Sequence, residues 1–235
     1  MLTLSKALTS AQAKVYYQND FSNGAGNYYS QGQTVAGQWQ GQLAREWRLE
    51  GEVTTEQYNR LADGQHPHSG EQLIQYHQKA ANSQSPTQEH RAGWDATFSA
   101  PKSVSLTALV GGDSRILEAH RESVREALGE LERFTQARIG GNHPPENTRK
   151  LIIATFEHDS ARPVEGYPAP QLHTHAVIFN LTETEEREAK PLQPLELFKS
   201  QQYATAVYQS HLADRLQRLG YLIESGTNGA PDIKG

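Results

Sequence analysis

Cysteine is absent from this chain of 235 residues, and no apolar run approaches the roughly 20 residues that span a bilayer. The first absence excludes disulfides and thiolate metal sites, so any bound metal must use nitrogen and oxygen donors, and it fits a reducing compartment. The opening residues Met1-Leu2-Thr3-Leu4-Ser5-Lys6 also lack the hydrophobic centre of a secretion signal. Positive charge is in deficit, with 22 Lys and Arg against 27 Asp and Glu, a net charge of −5. Contact with a nucleic acid must then come from a local basic face or a metal. With 36% hydrophobic residues and no break in composition, the chain is expected to form one domain over residues 1–235.

What the chain does have is histidine in two short apolar segments. Gln171-Leu172-His173-Thr174-His175-Ala176-Val177-Ile178-Phe179-Asn180 reads as a strand, whose period of two turns His173 and His175 to one face. His158 ends another apolar run, Leu151 to Phe156, and joins the pair if the Pro/Gly-rich connection folds back as a hairpin. Three neutral imidazoles on one face make a divalent-metal site with open positions. Hydrogen-bonded structural histidines are the competing explanation, and the spacing alone leaves both standing.

The remaining patterns predict the frame around these strands. Met1 to Ala7 reads as a first strand and Ser10 to Gln18 as a helix capped by Ser10. Asn19 to Gly37 reads as a loop or broken helix. Helical patterns cover Gly41 to Arg48, Thr54 to Ala62 and a stretch near Glu71 to Ala80. Trp94 to Phe98 alternates, with Trp94, Ala96 and Phe98 on one face and Asp95 and Thr97 on the other. Pro101 opens a helix that Gly111-Gly112 ends, and Asp113 caps a longer one bearing Leu117, His120, Val124, Leu128, Leu131 and Phe134 at helical spacing. Thr182 to Glu188 reads as solvated turn or loop, Lys190 to Pro194 as a returning strand, Gln201 to Leu219 as a helix and Tyr221 to Glu224 as a terminal strand. Together these predict an α+β fold, a largely antiparallel sheet with helices packed on one face.

Tyrosine forms a second cluster, as the adjacent pairs Tyr16-Tyr17 and Tyr28-Tyr29 in a chain with ten tyrosines. Helical neighbours point about 100° apart, so one ring of each pair stays accessible. Taken alone the pairs fit core and rim packing. A phenol, with a reference pKa of about 10, becomes a nucleophile only when deprotonated or when its target is activated, as a metal on a phosphodiester would do.

The tyrosine pairs, the segment Gly93-Trp94-Asp95-Ala96-Thr97-Phe98-Ser99-Ala100-Pro101-Lys102-Ser103-Val104-Ser105, and His158 followed by Gln171-Leu172-His173-Thr174-His175 resemble, in this order, the relaxase domain of the MobF class of conjugative relaxases. That class lies within the HUH group of single-strand endonucleases, and the resemblance covers nearly the whole chain. It implies a metal-dependent, site- and strand-specific DNA strand transferase acting at a plasmid transfer origin through a 5′-phosphotyrosine. In that family role His158, His173 and His175 hold a divalent ion such as Mg, Mn or Zn. Tyr16 is the first nicking tyrosine, Tyr28 serves a second transfer, and Asp95 orients a ligand histidine or takes the proton. Lys102 is placed to meet a phosphate in that motif, with a solvated helix-start lysine as the alternative, and Arg162 is a local positive for the DNA path.

Other local positives for a DNA path are Arg45, Arg48, Arg115, Arg138, Arg149 and Lys150, whereas Trp39, Trp47 and Trp94 read as core. The resemblance further implies single-stranded DNA of the transfer origin as partner, accessory and coupling proteins of a conjugation system, a bacterial cytoplasmic location without membrane insertion, and a place at the N-terminal end of a longer protein. A hydrolase using a metal-bound water and a non-catalytic DNA-binding module are the rival functions.

Overall fold

Residues 1–18, 29, 36–74, 90–161 and 165–234 are described by a computed structural model. Strands β1 (Leu2–Leu4), β2 (Leu8–Thr9), β3 (Gln38–Gln40), β4 (Arg91–Ser99), β5 (Gln136–Ala137), β6 (Glu146–Asn147), β7 (Ile153–Ser160), β8 (Pro170–Phe179), β9 (Thr182–Glu183), β10 (Ala189–Lys190), β11 (Ile223–Ser225) and β12 (Pro231–Ile233) are interleaved with helices. The helices are α1 (Ser10–Tyr16), α2 (Gln42–Glu46), α3 (Thr55–Ala62), α4 (Lys102–Leu109), α5 (Arg115–Glu132), α6 (Leu195–Lys199) and α7 (Gln201–Arg218). One sheet runs in the order β1-β4-β8-β7-β3, with β2 also paired to β4. Its pairings are antiparallel, as the hairpin reading of the histidine segments requires.

Strand alternation divides the interior in two. Trp94, Ala96 and Phe98 of β4 and Leu172, Ala176 and Ile178 of β8 enter one core with Val104 of α4, Ile116, Val124, Leu128 and Leu131 of α5, and Leu212 and Leu216 of α7. Full burial of one such large side chain contributes about 1.5–3 kcal/mol. Bidentate bonds from Arg121 Nε and Nη2 to Glu157 at 2.8 and 2.7 Å pin α5 to β7. The opposite face is covered too, by a second core in which Ala13, Leu43, Tyr58 and Leu61 from the short helices α1 to α3 meet Ala154, Phe156, Val177 and Phe179. The long helices thus take the face expected of them, while the short ones roof the other.

Local expectations fail where a distant partner decides. The cap of α1 is Thr9, not Ser10: Thr9 Oγ1 accepts the Gln12 N–H at 3.2 Å and the Gln12 side chain accepts the Thr9 N–H at 2.9 Å. Ser10 donates instead to Asp63 Oδ1 at 2.5 Å. Residues 71–74 are not helical, and the rest of the helix predicted to Ala80 lies outside the described residues. Phe134 lies beyond the end of α5 and is 37% exposed. Thr182, Glu183 and Thr184 are buried rather than solvated, because Lys150 Nζ reaches Glu183 at 3.1 Å and Thr182 Oγ1 donates to the Lys150 carbonyl at 2.8 Å. No helix among the described residues is long and apolar enough to cross a membrane.

Candidate active site

The three histidines come together as their spacing predicts. His158 and His173 are direct cross-strand partners of β7 and β8, and His175 lies opposite Phe156 on one side and Thr97 of β4 on the other. Their ring centroids stand 5.2 Å (His158–His173), 5.3 Å (His158–His175) and 5.0 Å (His173–His175) apart. A register irregularity between His158 and Ser160 ends the regular pairing just past the cluster, a place where bulges commonly re-aim side chains.

Tyr16 reaches this cluster from the last turn of α1. The helix is held by Lys14, whose ammonium lies 2.6 Å from Asp63 Oδ2, and by the Tyr58 hydroxyl, which donates to the Ala13 carbonyl at 3.3 Å. The Tyr16 hydroxyl donates to Asp95 Oδ2 at 3.0 Å and lies 2.7 Å from His175 Nδ1. His175 Nδ1 is 2.8 Å from the same Asp95 oxygen. Asp95 is placed by β4, as its position on the polar face predicts, and its backbone N–H donates to Ser5 Oγ at 2.9 Å. Tyr17 points elsewhere: its hydroxyl donates to the Val53 carbonyl at 3.2 Å and its ring stacks on Tyr58 at 4.4 Å. Of the first pair, one phenol faces the histidines and one is core.

The donor set suits a divalent cation. Burial pushes the His158 pKa down to about 3, with the neighbouring imidazoles His175 and His173 acting in the same direction. Burial likewise lowers His173. Both rings are therefore neutral, with a nitrogen lone pair to give. A backbone carbonyl can only accept, so the 2.9 Å contact from His173 Nδ1 to the Gln171 carbonyl assigns the proton to Nδ1 and leaves Nε2 for a ligand bond. The same logic assigns His175 Nδ1–H to Asp95. Nitrogen–metal bonds of about 2.0–2.1 Å put the centroids of three coordinating rings roughly 5 Å apart, the spacing seen here.

The other residues singled out from sequence are placed less directly. Lys102 is exposed at the start of α4, and its ammonium donates to the Pro170 carbonyl at 2.8 Å, where β8 begins. Tyr28 and Arg162 lie outside the described residues. Tyr29 is described, and its hydroxyl donates to the Pro168 carbonyl at 2.9 Å, beside the same end of β8. Arg115 and Lys150 are engaged by Asp113 and by Glu46 with Glu183. Sequence reasoning left Thr97 without a role, yet its hydroxyl donates to Asp95 Oδ2 at 2.9 Å. Its place two residues after Asp95, on the same strand face, was the available signal.

A phenol carried by α1 meets a carboxylate and three clustered imidazoles carried by an antiparallel sheet, a constellation suited to transesterification by tyrosine. The chain belongs to the TrwC relaxase family, whose pattern it matches over residues 10–235. It is 31% identical over 246 residues to the multifunctional conjugation protein TraI of Escherichia coli, a match covering 100% of this chain and 13% of that protein. This chain therefore spans a small part of the length of its curated relatives. Conjugative relaxase TrwC bound to oriT DNA in a copper-bound structure superposes with a TM-score of 0.79 at 38% identity, covering 99% of this chain and 75% of that one. TrwC complexed with a 27-mer DNA comprising the recognition hairpin and the cleavage site gives a TM-score of 0.76 at 36% identity, over 99% and 74% of the two chains.

Proposed function

We propose that this chain nicks one DNA strand at a plasmid transfer origin and holds it for transfer as a 5′-phosphotyrosine on Tyr16, in a metal-dependent reaction. The observation that carries the reading is the Tyr16 hydroxyl, 3.0 Å from Asp95 Oδ2 and 2.7 Å from His175 Nδ1. In the chemical step the Tyr16 oxygen bonds to phosphorus while the bond from phosphorus to the 3′-oxygen breaks. Asp95 receives the phenolic proton, and the departing oxygen takes a proton from solvent water to become a 3′-hydroxyl. One phosphodiester is exchanged for another, so the hydroxyl can later attack the adduct and reseal the strand. That retention of bond energy is the reason for a tyrosine rather than a water. His158, His173 and His175 would hold a divalent ion such as Mg, Mn or Zn, which offsets charge on the non-bridging phosphate oxygens.

Among the described residues the Pro170 carbonyl takes one of the three N–H donors of Lys102, and the other two could meet a phosphate near the start of β8. Arg162, in the connection from β7 to β8, is assigned the same role, and Tyr28 is assigned a second transfer step. Single-stranded transfer-origin DNA is the substrate. Accessory and coupling proteins of the conjugation system, in the bacterial cytoplasm, are the partners.

Incubation with single-stranded DNA from the transfer region and Mg²⁺ or Mn²⁺, followed by a denaturing gel and mass spectrometry, tests the reading. The expected product is a covalent 5′ adduct on Tyr16 that disappears with EDTA and in Tyr16→Phe. Cleavage without an adduct would replace the transesterase with a hydrolase, and binding without cleavage would replace it with a DNA-binding module.

A further inference from the structure

Asp95 is unusual in how its two oxygens are used. Oδ2 receives the Tyr16 hydroxyl at 3.0 Å, His175 Nδ1 at 2.8 Å and the Thr97 hydroxyl at 2.9 Å. Oδ1 is buried and has no hydrogen-bond partner among the described residues. A carboxylate with one crowded and one bare oxygen gains by rotating about its terminal torsion, which is soft, and sharing its donors between both atoms. Something must hold it in the lopsided orientation. Tyr16 and His175 cannot be the whole restraint, because both must adjust when a phosphate and an ion enter.

Thr97 is built to supply that restraint. It sits two residues from Asp95 on the same strand and is the direct cross-strand partner of His175. Its hydroxyl also lies 3.2 Å from His175 Nδ1, so it touches both members of the pair that flank the phenol. Threonine is β-branched, its χ1 is stiff, and its oxygen cannot drift as a serine or water would. We propose that Thr97 is a positioning residue for strand transfer: its hydroxyl locks the Asp95 carboxylate with Oδ2 bridging Tyr16 and His175, so that one oxygen both receives the phenolic proton and orients the imidazole. The inference rests on the reading of Tyr16 as nucleophile.

The test is single-turnover formation of the Tyr16 adduct at saturating transfer-origin DNA and Mn²⁺, with DNA affinity measured separately. Thr97→Val keeps the branched shape and removes the hydroxyl; Thr97→Ala removes it without that shape and serves if valine disturbs folding, as judged by thermal melting. The expected result is about a tenfold slower adduct formation in both, the effect of losing one hydrogen bond to a charged group. DNA affinity should stay unchanged, and Thr97→Ser, which keeps the hydroxyl on a freer torsion, should recover part of the rate. A hydroxyl-free variant that folds and reacts at the wild-type rate would overturn the proposal, as would a serine variant no faster than valine. Absence of adduct from the wild-type protein, or its persistence in Tyr16→Phe, would instead strike the functional reading beneath it.

Discussion

The hydroxyls of the consecutive residues Tyr16 and Tyr17 have opposite surroundings: one lies 3.0 Å from the Asp95 carboxylate, the other donates at 3.2 Å to the Val53 carbonyl and sits in a side chain only 6% exposed. A turn of about 100° between helical neighbours is enough to separate a reactive phenol from a packing one. Tyr17→Phe is therefore expected to keep adduct formation and to cost about 1 kcal/mol of stability, the net worth of one hydrogen bond. Tyr16→Phe is expected to abolish the adduct and to cost a comparable amount of stability, since it removes the bond to the Asp95 carboxylate. Denaturant melts and adduct gels on the two variants check both halves.

Asp95→Asn separates the two things asked of that carboxylate. Asparagine still accepts from His175 Nδ1 but no longer takes a proton from the phenol. Adduct formation should slow by about 10²- to 10⁴-fold, the usual worth of a general base. Binding of Mn²⁺, followed by calorimetry, should weaken far less than that. Equal losses in the two measurements would make Asp95 an orienter alone.

Acid should destabilise the fold through two buried neutral histidines. Burial lowers the pKa of His120 to about 3 and that of His158 also to about 3. The unfolded chain takes up protons at these residues below about pH 6.5 while the native protein does not, so stability is complete above that value and falls as pH drops toward 3. At pH 4.5 each contributes a loss of roughly 2–3 kcal/mol. His120 bridges the Tyr208 hydroxyl at 2.8 Å and Thr174 Oγ1 at 2.9 Å. His120→Gln can retain such bonds without titrating, and should flatten the dependence of urea midpoint on pH between 7 and 4.5.

Glu132 joins three elements. Its Oε1 accepts the backbone N–H of Gln42 and that of Leu151, both at 2.6 Å, tying the end of α5 to the start of α2 and to the approach to β7. Glu132→Ala leaves two N–H groups without this acceptor. The expected cost is about 2–4 kcal/mol, measured by urea unfolding. Gly41, at φ +102, meets the same junction; a Cβ there would strike the Leu151 carbonyl, so Gly41→Ala should also destabilise.

A divalent ion that binds the native histidines raises thermal stability with the logarithm of one plus its concentration over its dissociation constant. Mn²⁺ should raise the melting temperature of the wild-type protein and have little effect on His173→Ala. A shift of the same size in the variant would remove His173 from the ligand set.

The central strands were legible because both determinants lie in the strand itself: Leu172, Ala176 and Ile178 alternate with His173, His175 and Val177, and the faces follow from the period. Asp95 was legible for the same reason. Illegible features depended on residues far along the chain. The burial of Glu183 needs Lys150 and Trp47, and the choice of Thr9 over Ser10 as cap depends on Asp63 engaging the serine. The lysine at 102, read from its motif as a phosphate contact, spends one donor on Pro170, a bond that only the folded hairpin makes available.

The same alternation in β8 packs Leu172 and Ala176 against the helices and turns His173 and His175 to the other face, where His175 meets Tyr16. Deleting one residue within this strand would send imidazoles into the oily layer and aliphatic side chains into the chemistry. Substitutions can wear the two functions down separately, but a frame change in length cannot. In β8, loss of activity and loss of fold arrive as a single event, so the strand should tolerate exchanges of residue type far better than any change in its count.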